Sequence, residues 1–230
     1  MIKFNIENRM GHIEFARPES GNAFTNEMAL QFGDVMRRMG DEADIVTLSG
    51  EGADFTIGRD RHEPRKGTPF EAFHNVSAVN QAMAAFPGII VAAVRGRAHG
   101  LGVGLIMRSD IAIAACDSRF GLDEVAHDIP PMFIMEEIVD HLPPKRALDI
   151  ILSGREFGAE EALVIGLLSR VVPPVELDTV VGGFVEDLRA SDKVVVAACK
   201  NYLRKVRRMQ PEARSAYALV KQTEFALRKC

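Results

Sequence analysis

Cysteine is scarce in this sequence, with three in 230 residues. Cys116, Cys199 and Cys230 are far apart along the chain, and no two of them have the spacing of paired metal ligands. An odd number of isolated cysteines argues against a disulfide framework and against a cysteine-based zinc site. We therefore expect free thiols, as in the cytoplasm, and no metal site.

The chain also lacks a strong charge bias and any long apolar run. Its formal net charge is −4 and its sequence pI is about 5.9, which gives no electrostatic reason to expect nucleic acid or an anionic membrane as a partner. No segment approaches the length of a membrane span, and the N-terminal MIKFNIENRMGHIEF alternates like a strand instead of forming the apolar core of a signal peptide. We therefore expect a soluble cytoplasmic protein.

Strand and helix patterns alternate along the first part of the chain. IKFNI and HIEFA alternate as a hairpin of two edge strands around the turn NRMG. Small and β-branched apolar residues predict further strands at DIVTLSG, IIVAAV and IAIAA. The spacing of apolar residues on one helix face predicts helices from the Thr25 N-cap to about Gly40 and over 70–86.

The pattern changes after Pro131. Apolar periodicity there predicts helices over 133–141, 145–152, 159–165, 178–190 and 193–209. The two prolines of LLSRVVPPVEL mark the best boundary between the two parts. Because 47% of the residues are hydrophobic, the chain can bury a sizeable core. We predict an α/β core over 1–172 and a helical region over 173–230.

Three glycines at alternate positions, Gly100, Gly102 and Gly104, follow the strand IIVAAV in the stretch GRAHGLGVGLIMRSDIA. A dinucleotide site requires G-x-G-x-x-G and an acidic residue about twenty positions later, and a P-loop requires Gly-Lys-Ser/Thr. Neither is present, because the spacing is G-x-G-x-G and Asp110 follows too soon. The glycines then either permit close helix packing or bring backbone N–H groups towards a ligand.

A second glycine loop, EGADFTIGRD, follows the predicted strand DIVTLSG. Two loops from neighbouring strands can each direct one backbone N–H at the same oxygen atom, and a helix that starts at one of them adds its positive end. The pair of loops therefore indicates an oxyanion hole, with ordinary turns as the alternative.

Five motifs, in this order and spacing, resemble those of the crotonases, the enoyl-CoA hydratase/isomerase superfamily: FARPESGNAFT, DFTIGRD, VRGRAHGLGVGLIMRSDIAIA, SRFGLDEV and ILSGREFGAEEALVIGLLSRVVP. The resemblance spans almost the whole chain. It implies an α/β fold, a spiral of ββα units, with a helical C-terminal region that forms homotrimers or hexamers and is shorter here than in most relatives. It also implies an acyl-CoA thioester substrate that reacts through an enolate, with coenzyme A as part of the substrate and no separate cofactor.

The resemblance also implies the residues of the site. The two oxyanion donors are the backbone N–H groups of Arg59 and Leu101. Arg59 stands where the family usually has a small residue, so its guanidinium either reaches a phosphate of coenzyme A or points to water. The implied substrate-binding positions are Ala23, Phe24, Ile57, Gly58, Asp60, Arg61, His62, Gly100 and Gly102.

The family's two acid/base carboxylates correspond to Gly104 and Glu124, so only Glu124 is present. A single carboxylate of raised pKa suits proton transfer between two carbons of an enolate, which favours enoyl-CoA isomerisation over simple hydration. Asp123 and Asp128 on either side of Glu124 either raise its pKa or are solvated. Hydratase-lyases and carbon–carbon bond-forming synthases are other members with one glutamate.

Two other classes of function stay open. A crotonase-type hydrolase of a thioester or a β-diketone requires His99 or His127 to face the oxyanion hole, since histidine is a natural base near neutral pH. A non-catalytic member would bind acyl-CoA, or RNA through the basic helix KNYLRKVRRMQ, although a solvated helix face explains that run more simply. Ligand binding without turnover would identify the non-catalytic class.

Overall fold

The computed structural model describes residues 1–64 and 67–228. Within them the chain forms two compact units, one covering Met1–Ala190 and the other beginning at Ser191. The strands are β1 (Ile2–Glu7), β2 (Met10–Phe15), β3 (Ile45–Gly50), β4 (Ile89–Val94), β5 (Arg97–His99), β6 (Ile111–Ala115), β7 (Arg119–Gly121), β8 (Phe157–Gly158) and β9 (Arg170–Val172). The helices are α1 (Asn26–Glu42), α2 (Pro69–Ala85), α3 (Leu101–Arg108), α4 (Met132–His141), α5 (Pro144–Ser153), α6 (Ala159–Val164), α7 (Leu177–Ala190), α8 (Lys193–Val206) and α9 (Pro211–Leu227).

The larger sheet has six strands in the order β1-β2-β3-β4-β6-β9. β1 and β2 pair antiparallel, as the predicted hairpin requires, and the other neighbours pair parallel. The prediction of two edge strands is wrong for β2, because its second side pairs with β3. Gly11, Ile13 and Phe15 of β2 are buried, so this strand belongs to the interior of the sheet.

A smaller sheet of β5, β7 and β8 was not expected from the sequence. Strands of two or three residues are too short to show an alternating pattern. β5 pairs in parallel with β7, from Arg97↔Arg119 to His99↔Gly121. This pairing brings the segment before α3 beside the segment that leads to a short 3-10 turn, Glu124–His127.

Phenylalanine side chains fill the core next to the first glycine loop. Phe15, Phe24 and Phe55 are fully buried, and the ring centroid of Phe15 lies 5.2 Å from that of each of the other two. Phe32 of α1 packs 6.2 Å from Phe15 and from Phe24. Burial of one such side chain contributes about 1.5–3 kcal/mol, so the segments that carry Phe24 and Phe55 are firmly anchored.

The predicted helices are confirmed in place, with small shifts at their ends. Thr25 caps α1 as predicted, because its Oγ1 accepts the Met28 N–H at 3.1 Å. The helix predicted over 193–209 ends at Val206, and a further helix, α9, begins at Pro211. Proline suits the first helical position because its missing N–H has no partner to find there.

The compact units divide the chain later than residue 172. Leu177, Val181 and Val185 of α7 are buried, and this helix packs on β4 and β6 within the first unit. In the second unit, the rings of Tyr202 on α8 and Tyr217 on α9 stack with their centroids 5.6 Å apart. The oligomerisation role of the helical region stays a prediction.

Candidate active site

The two glycine loops run side by side. Thr56 and Ala98 form a parallel bridge, in which the Thr56 N–H donates to Arg97 O at 3.1 Å and the His99 N–H donates to Thr56 O at 3.0 Å. Because both loops run in the same direction, Arg59 and Leu101 each lie three positions after the bridged residue. Adjacent strands are about 4.8 Å apart, so this register brings the two expected donors close together.

The close approach of the two loops requires glycine at one position in each loop. Gly58 and Gly100 have positive φ angles, +91° and +50°, which side chains other than hydrogen disfavour. A Cβ on Gly58 would lie 2.9 Å from His99 O and 3.4 Å from Leu101 N. A Cβ on Gly100 would lie 3.9 Å from Gly58 Cα. The glycine pattern thus reflects close contact between the loops.

The N–H groups of Arg59 and Leu101 have no hydrogen-bond acceptor among the residues that the structure describes. Their neighbours are engaged, since Phe24 pairs with Gly58 O and with the Asp60 N–H at 2.8 and 2.9 Å. Leu101 is the first residue of α3, where N–H groups have no partner within the helix. Two such donors in adjacent loops are what an oxyanion hole needs, and this role stays a prediction.

Asp54 and Arg97 lock the two loops together, and sequence analysis missed both. The buried Asp54 carboxylate accepts the Arg97 backbone N–H and Nε at 2.9 Å each on Oδ1, and Nη2 at 2.7 Å on Oδ2. The hydrogen bonds from Arg97 hold the pKa of Asp54 below its usual value. One ionised carboxylate therefore fixes the position of the first loop against the start of the second.

Asn22 fixes the first loop from its other side. This fully buried residue donates from Nδ2 to Glu51 O at 2.9 Å and to Asp54 O at 2.7 Å, while its Oδ1 accepts the Arg17 N–H at 2.9 Å. The segment with Ala23, an expected substrate-binding position, is thereby attached to the loop of Arg59. Asn22 stands within the motif FARPESGNAFT, but nothing in the pattern distinguished it.

Glu124 lies beside the second glycine loop. Its Oε1 is 2.7 Å from the point where a Cβ on Gly100 would be. Its Oε2 is buried and has no hydrogen-bond partner among the described residues. Burial raises the pKa of Glu124, and the neighbouring Asp123 carboxylate adds to this effect. A raised pKa makes Glu124 a candidate acid/base group, and its catalytic role stays a prediction.

Gly104 leaves space where the family's second carboxylate would stand. It lies in the first turns of α3 and is buried. The nearest atom to a Cβ at this position is Ile134 Cγ1 of α4, at an ordinary contact distance of 3.7 Å. A Cβ atom, as in alanine, would therefore fit at this position without a clash.

The Arg59 side chain turns towards the start of α1. Its Nη2 donates to Asn26 Oδ1 at 2.9 Å and lies 3.7 Å from Glu63 Oε2. Glu63 in turn accepts the Asn26 N–H at 2.9–3.0 Å. Burial lowers the pKa of Arg59. Because Nη2 has partners within the protein, the structure does not favour the alternative in which this guanidinium points to water. Nη1 is buried and has no hydrogen-bond partner among the described residues, and contact with a phosphate of coenzyme A stays a prediction.

The two histidines have other partners. His99 Nε2 lies 2.9 Å from Glu156 Oε1, at ion-pair distance but without hydrogen-bond geometry. The same ring is 3.5 Å from the Cβ position of Gly121. His127 Nε2 contacts Arg61 Nη1 and lies 3.4 Å from Asp123 Oδ2. These contacts give no support to a histidine base in the oxyanion hole.

The remaining expected substrate-binding residues have different environments. Phe24 is buried in the aromatic core, so only its backbone borders the loop. Ile57 is partly buried, whereas Arg61 and His62 are exposed. Asp60 accepts Arg17 Nη1 and the His62 N–H at 2.9 Å each. The role of each residue towards a substrate stays a prediction.

Residues 1–64 and 67–228 contain neither a metal-binding cluster nor a membrane-spanning helix. This part of the chain has no cluster of three or more His, Cys, Asp or Glu residues that could hold a metal ion. It also has no helix with the length and apolarity needed to cross a membrane. Cys116 and Cys199 are free and exposed, and Cys230 lies outside the described residues.

Comparisons with known proteins identify the family of this chain. The family model described as Enoyl-CoA hydratase/isomerase matches residues 5–227. The hydroxycinnamoyl-CoA hydratase-lyase of Pseudomonas fluorescens is 25% identical, over 98% of this chain and 86% of its own. A Mycobacterium tuberculosis protein named probable enoyl-CoA hydratase echA8 is 32% identical, over 75% of this chain and 69% of its own. A Thermobifida fusca structure in complex with CoA is 25% identical with a TM-score of 0.87, covering 98% of this chain and 94% of that one. The chain therefore belongs to the enoyl-CoA hydratase/isomerase family, the crotonases, and has the α/β fold and helical C-terminal region of that family.

Proposed function

We propose that this protein is an acyl-CoA enzyme that stabilises a thioester enolate between the N–H groups of Arg59 and Leu101 and uses Glu124 as its single acid/base carboxylate. The observation that carries the proposal is the position of the Glu124 carboxyl beside the loop that ends at Leu101, with a buried Oε2 that has no hydrogen-bond partner among the described residues. The CoA complex of the Thermobifida fusca relative supports an acyl-CoA substrate.

The reaction that this arrangement favours is the conversion of a 3-enoyl thioester to a 2-enoyl thioester. The Glu124 carboxylate accepts a proton from C2, and the electron pair of the C–H bond passes into the conjugated system that ends at the thioester oxygen. The two N–H groups stabilise the resulting oxyanion. Glu124 then returns the proton to C4, and the double bond forms between C2 and C3. No net oxidation occurs, and one carboxyl group serves both proton transfers.

Simple hydration is less favoured because Gly104 supplies no second carboxylate to handle water. A hydratase-lyase reaction is the second candidate, since the hydroxycinnamoyl-CoA hydratase-lyase aligns with 98% of this chain. Both candidates require Glu124. Activity towards 3-enoyl, 2-enoyl and 3-hydroxyacyl thioesters, compared under the same conditions, separates them.

Glu124→Gln is the test of the common mechanism. Glutamine keeps the size of the side chain but accepts no proton, so turnover should fall by about two orders of magnitude or more. Affinity for a CoA thioester, measured by calorimetry, should change little. Glu156→Gln is the matched control, because it removes the carboxylate next to His99 and not the proposed base. Wild-type turnover of Glu124→Gln on the best substrate would refute the one-glutamate mechanism.

We also propose assembly as a homotrimer or a hexamer. Large apolar side chains stay exposed on α8 and α9, and such faces are commonly covered by other subunits. The exposed residues are Val195, Leu203, Leu219, Val220 and Leu227. A monomeric mass in solution at micromolar concentration, measured by light scattering, would contradict this assembly.

A further inference from the structure

Three segments make up the candidate site: the first glycine loop, the second glycine loop and the 3-10 turn that begins at Glu124. Main-chain bonds join the first loop to the second through Thr56 and Ala98. Main-chain bonds also join the second loop to the chain before the turn, where the Gly100 N–H donates to Gly121 O at 2.9 Å. The remaining connection, between the first loop and the 3-10 turn, has no main-chain hydrogen bond among the described residues.

Side chains alone make that third connection among the described residues. Arg61 Nη2 donates to Asp123 Oδ1 at 2.6 Å, and Arg61 Nη1 contacts His127 Nε2. Asp123 Oδ2 lies 3.4 Å from the same His127 nitrogen. Arg61 comes two residues after the expected donor Arg59, and Asp123 immediately precedes Glu124. The ion pair therefore spans from one functional group of the site to the other.

We propose that Arg61 and Asp123 form a clamp that holds the Glu124 carboxyl in position relative to the Arg59 N–H. Both are positioning residues, because neither needs to touch the reacting atoms. This inference rests on the proposed function. It gives Arg61 a different role from the substrate binding that the family resemblance implied.

The clamp also sets the charge around Glu124. Burial is the main cause of the raised Glu124 pKa; among charges, Asp123 raises it, whereas Arg61 and His127 lower it. The charged side chains of other packed elements are engaged elsewhere: on α5, Arg146 pairs with Glu161 and Asp149 with Arg155, and on β5, His99 lies against Glu156. Lys145, also on α5, is exposed. The two halves of the clamp therefore act on Glu124 with opposite sign.

Because Arg61 and Asp123 affect the Glu124 pKa with opposite sign, their variants should shift the pH profile in opposite directions. An ion pair that serves only the stability of the fold would not change kcat and the pH profile in this way. Arg61→Gln and Asp123→Asn both break the clamp, so both should lower kcat, by about tenfold or more, because small displacements of a catalytic group are costly. The acid limb of the pH profile of kcat/KM should move to higher pH in Arg61→Gln, which leaves the Asp123 anion alone. It should move to lower pH in Asp123→Asn, which leaves the Arg61 cation alone. Arg61→Lys should restore part of kcat.

Arg9→Gln is the matched control. The Arg9–Asp44 pair has similar exposure, 49% and 32% for the two side chains against 44% and 40% for Arg61 and Asp123. Arg9 lies in the β1–β2 turn and Asp44 immediately before β3. This variant should keep the wild-type kcat and pH profile. Circular dichroism establishes that each variant is folded; if Arg61→Gln is not, Arg61→Lys and Asp123→Asn carry the test.

The outcomes separate this inference from the proposed function. Loss of activity in Glu124→Gln, with an unchanged kcat and acid limb in both clamp variants, overturns the clamp and leaves the mechanism intact. A rise in KM alone in Arg61→Gln also overturns it and returns Arg61 to substrate binding. Retained activity in Glu124→Gln refutes the mechanism itself.

Discussion

Gly102 and Gly104 form a matched pair for testing how closely the two loops are packed. Both lie in α3 and both are buried, so alanine at either position adds about 0.5–1 kcal/mol of helix preference. A Cβ on Gly104 meets Ile134 Cγ1 at 3.7 Å, whereas a Cβ on Gly102 lies 2.9 Å from both Thr56 O and Thr56 Cγ2. Overpacking of this kind costs about 1–3 kcal/mol. Both variants gain the same helix preference, so this gain does not contribute to the difference between them. Gly102→Ala should therefore be less stable than Gly104→Ala by about 1–3 kcal/mol.

Urea unfolding followed by circular dichroism measures the difference. Gly104→Ala should be at least as stable as the wild type, and Gly102→Ala should unfold at lower urea. Thr56 O also accepts the His99 N–H in the bridge between the loops, so displacement of Thr56 should move the Leu101 N–H and lower kcat in Gly102→Ala. Equal stability of the two variants would show that the first turn of α3 does not press on Thr56, and the reasoning about the donor positions would fail with it.

Two carboxylates of the site should respond oppositely to pH. Arg97 lowers the pKa of Asp54, so this pair stabilises the fold above about pH 4 and ceases to do so as pH falls through the lowered pKa. Asp54→Asn should reduce the free energy of unfolding by about 1–3 kcal/mol at pH 7, and less in acid. Burial raises the pKa of Glu124, so its ionised form destabilises the fold above the raised pKa. Glu124→Gln should therefore unfold at a higher temperature than the wild type at pH 8, with no difference below about pH 4; thermal unfolding over this range tests both, and a change of the same sign in both variants contradicts the assignment.

The sequence carried enough information to predict the main elements and the two loops. Apolar periodicity located α1 and the central strands, and the glycines at Gly58, Gly100 and Gly102 marked the places where the backbones meet. β5, β7 and β8 were not predictable, because a strand of two or three residues is defined by its partner and not by its own pattern. These short strands nevertheless bring Glu124 to the second loop.

Side-chain pairs that hold the site together could not be predicted either. Asp54 and Arg97 are 43 positions apart, and Arg61 and Asp123 are 62 positions apart. Long-range pairs of this kind depend on tertiary packing, which one sequence does not reveal. From the sequence, Asp123 is recognisable only as a charge beside Glu124, and the family resemblance implies substrate binding for its partner, Arg61. The family motifs therefore indicate Glu124 as the acid/base candidate, a role that stays a prediction, whereas they do not indicate the side chains that surround it.

The expected functional groups of this site are of two kinds, backbone N–H groups and one side-chain carboxyl, and they restrict the sequence differently. The expected donors are backbone groups, so the side chains at 59 and 101 are available for other contacts; Arg59 bonds Asn26, and Leu101 is buried. Glycine is required where the loops touch, at Gly58 and Gly100. In the proposed mechanism the acid/base chemistry depends on Glu124 and on the absence of a carboxylate at Gly104, so we expect a change of side chain at either position to alter the reaction. A family with one fold can in this way contain proteins named as hydratases and as hydratase-lyases.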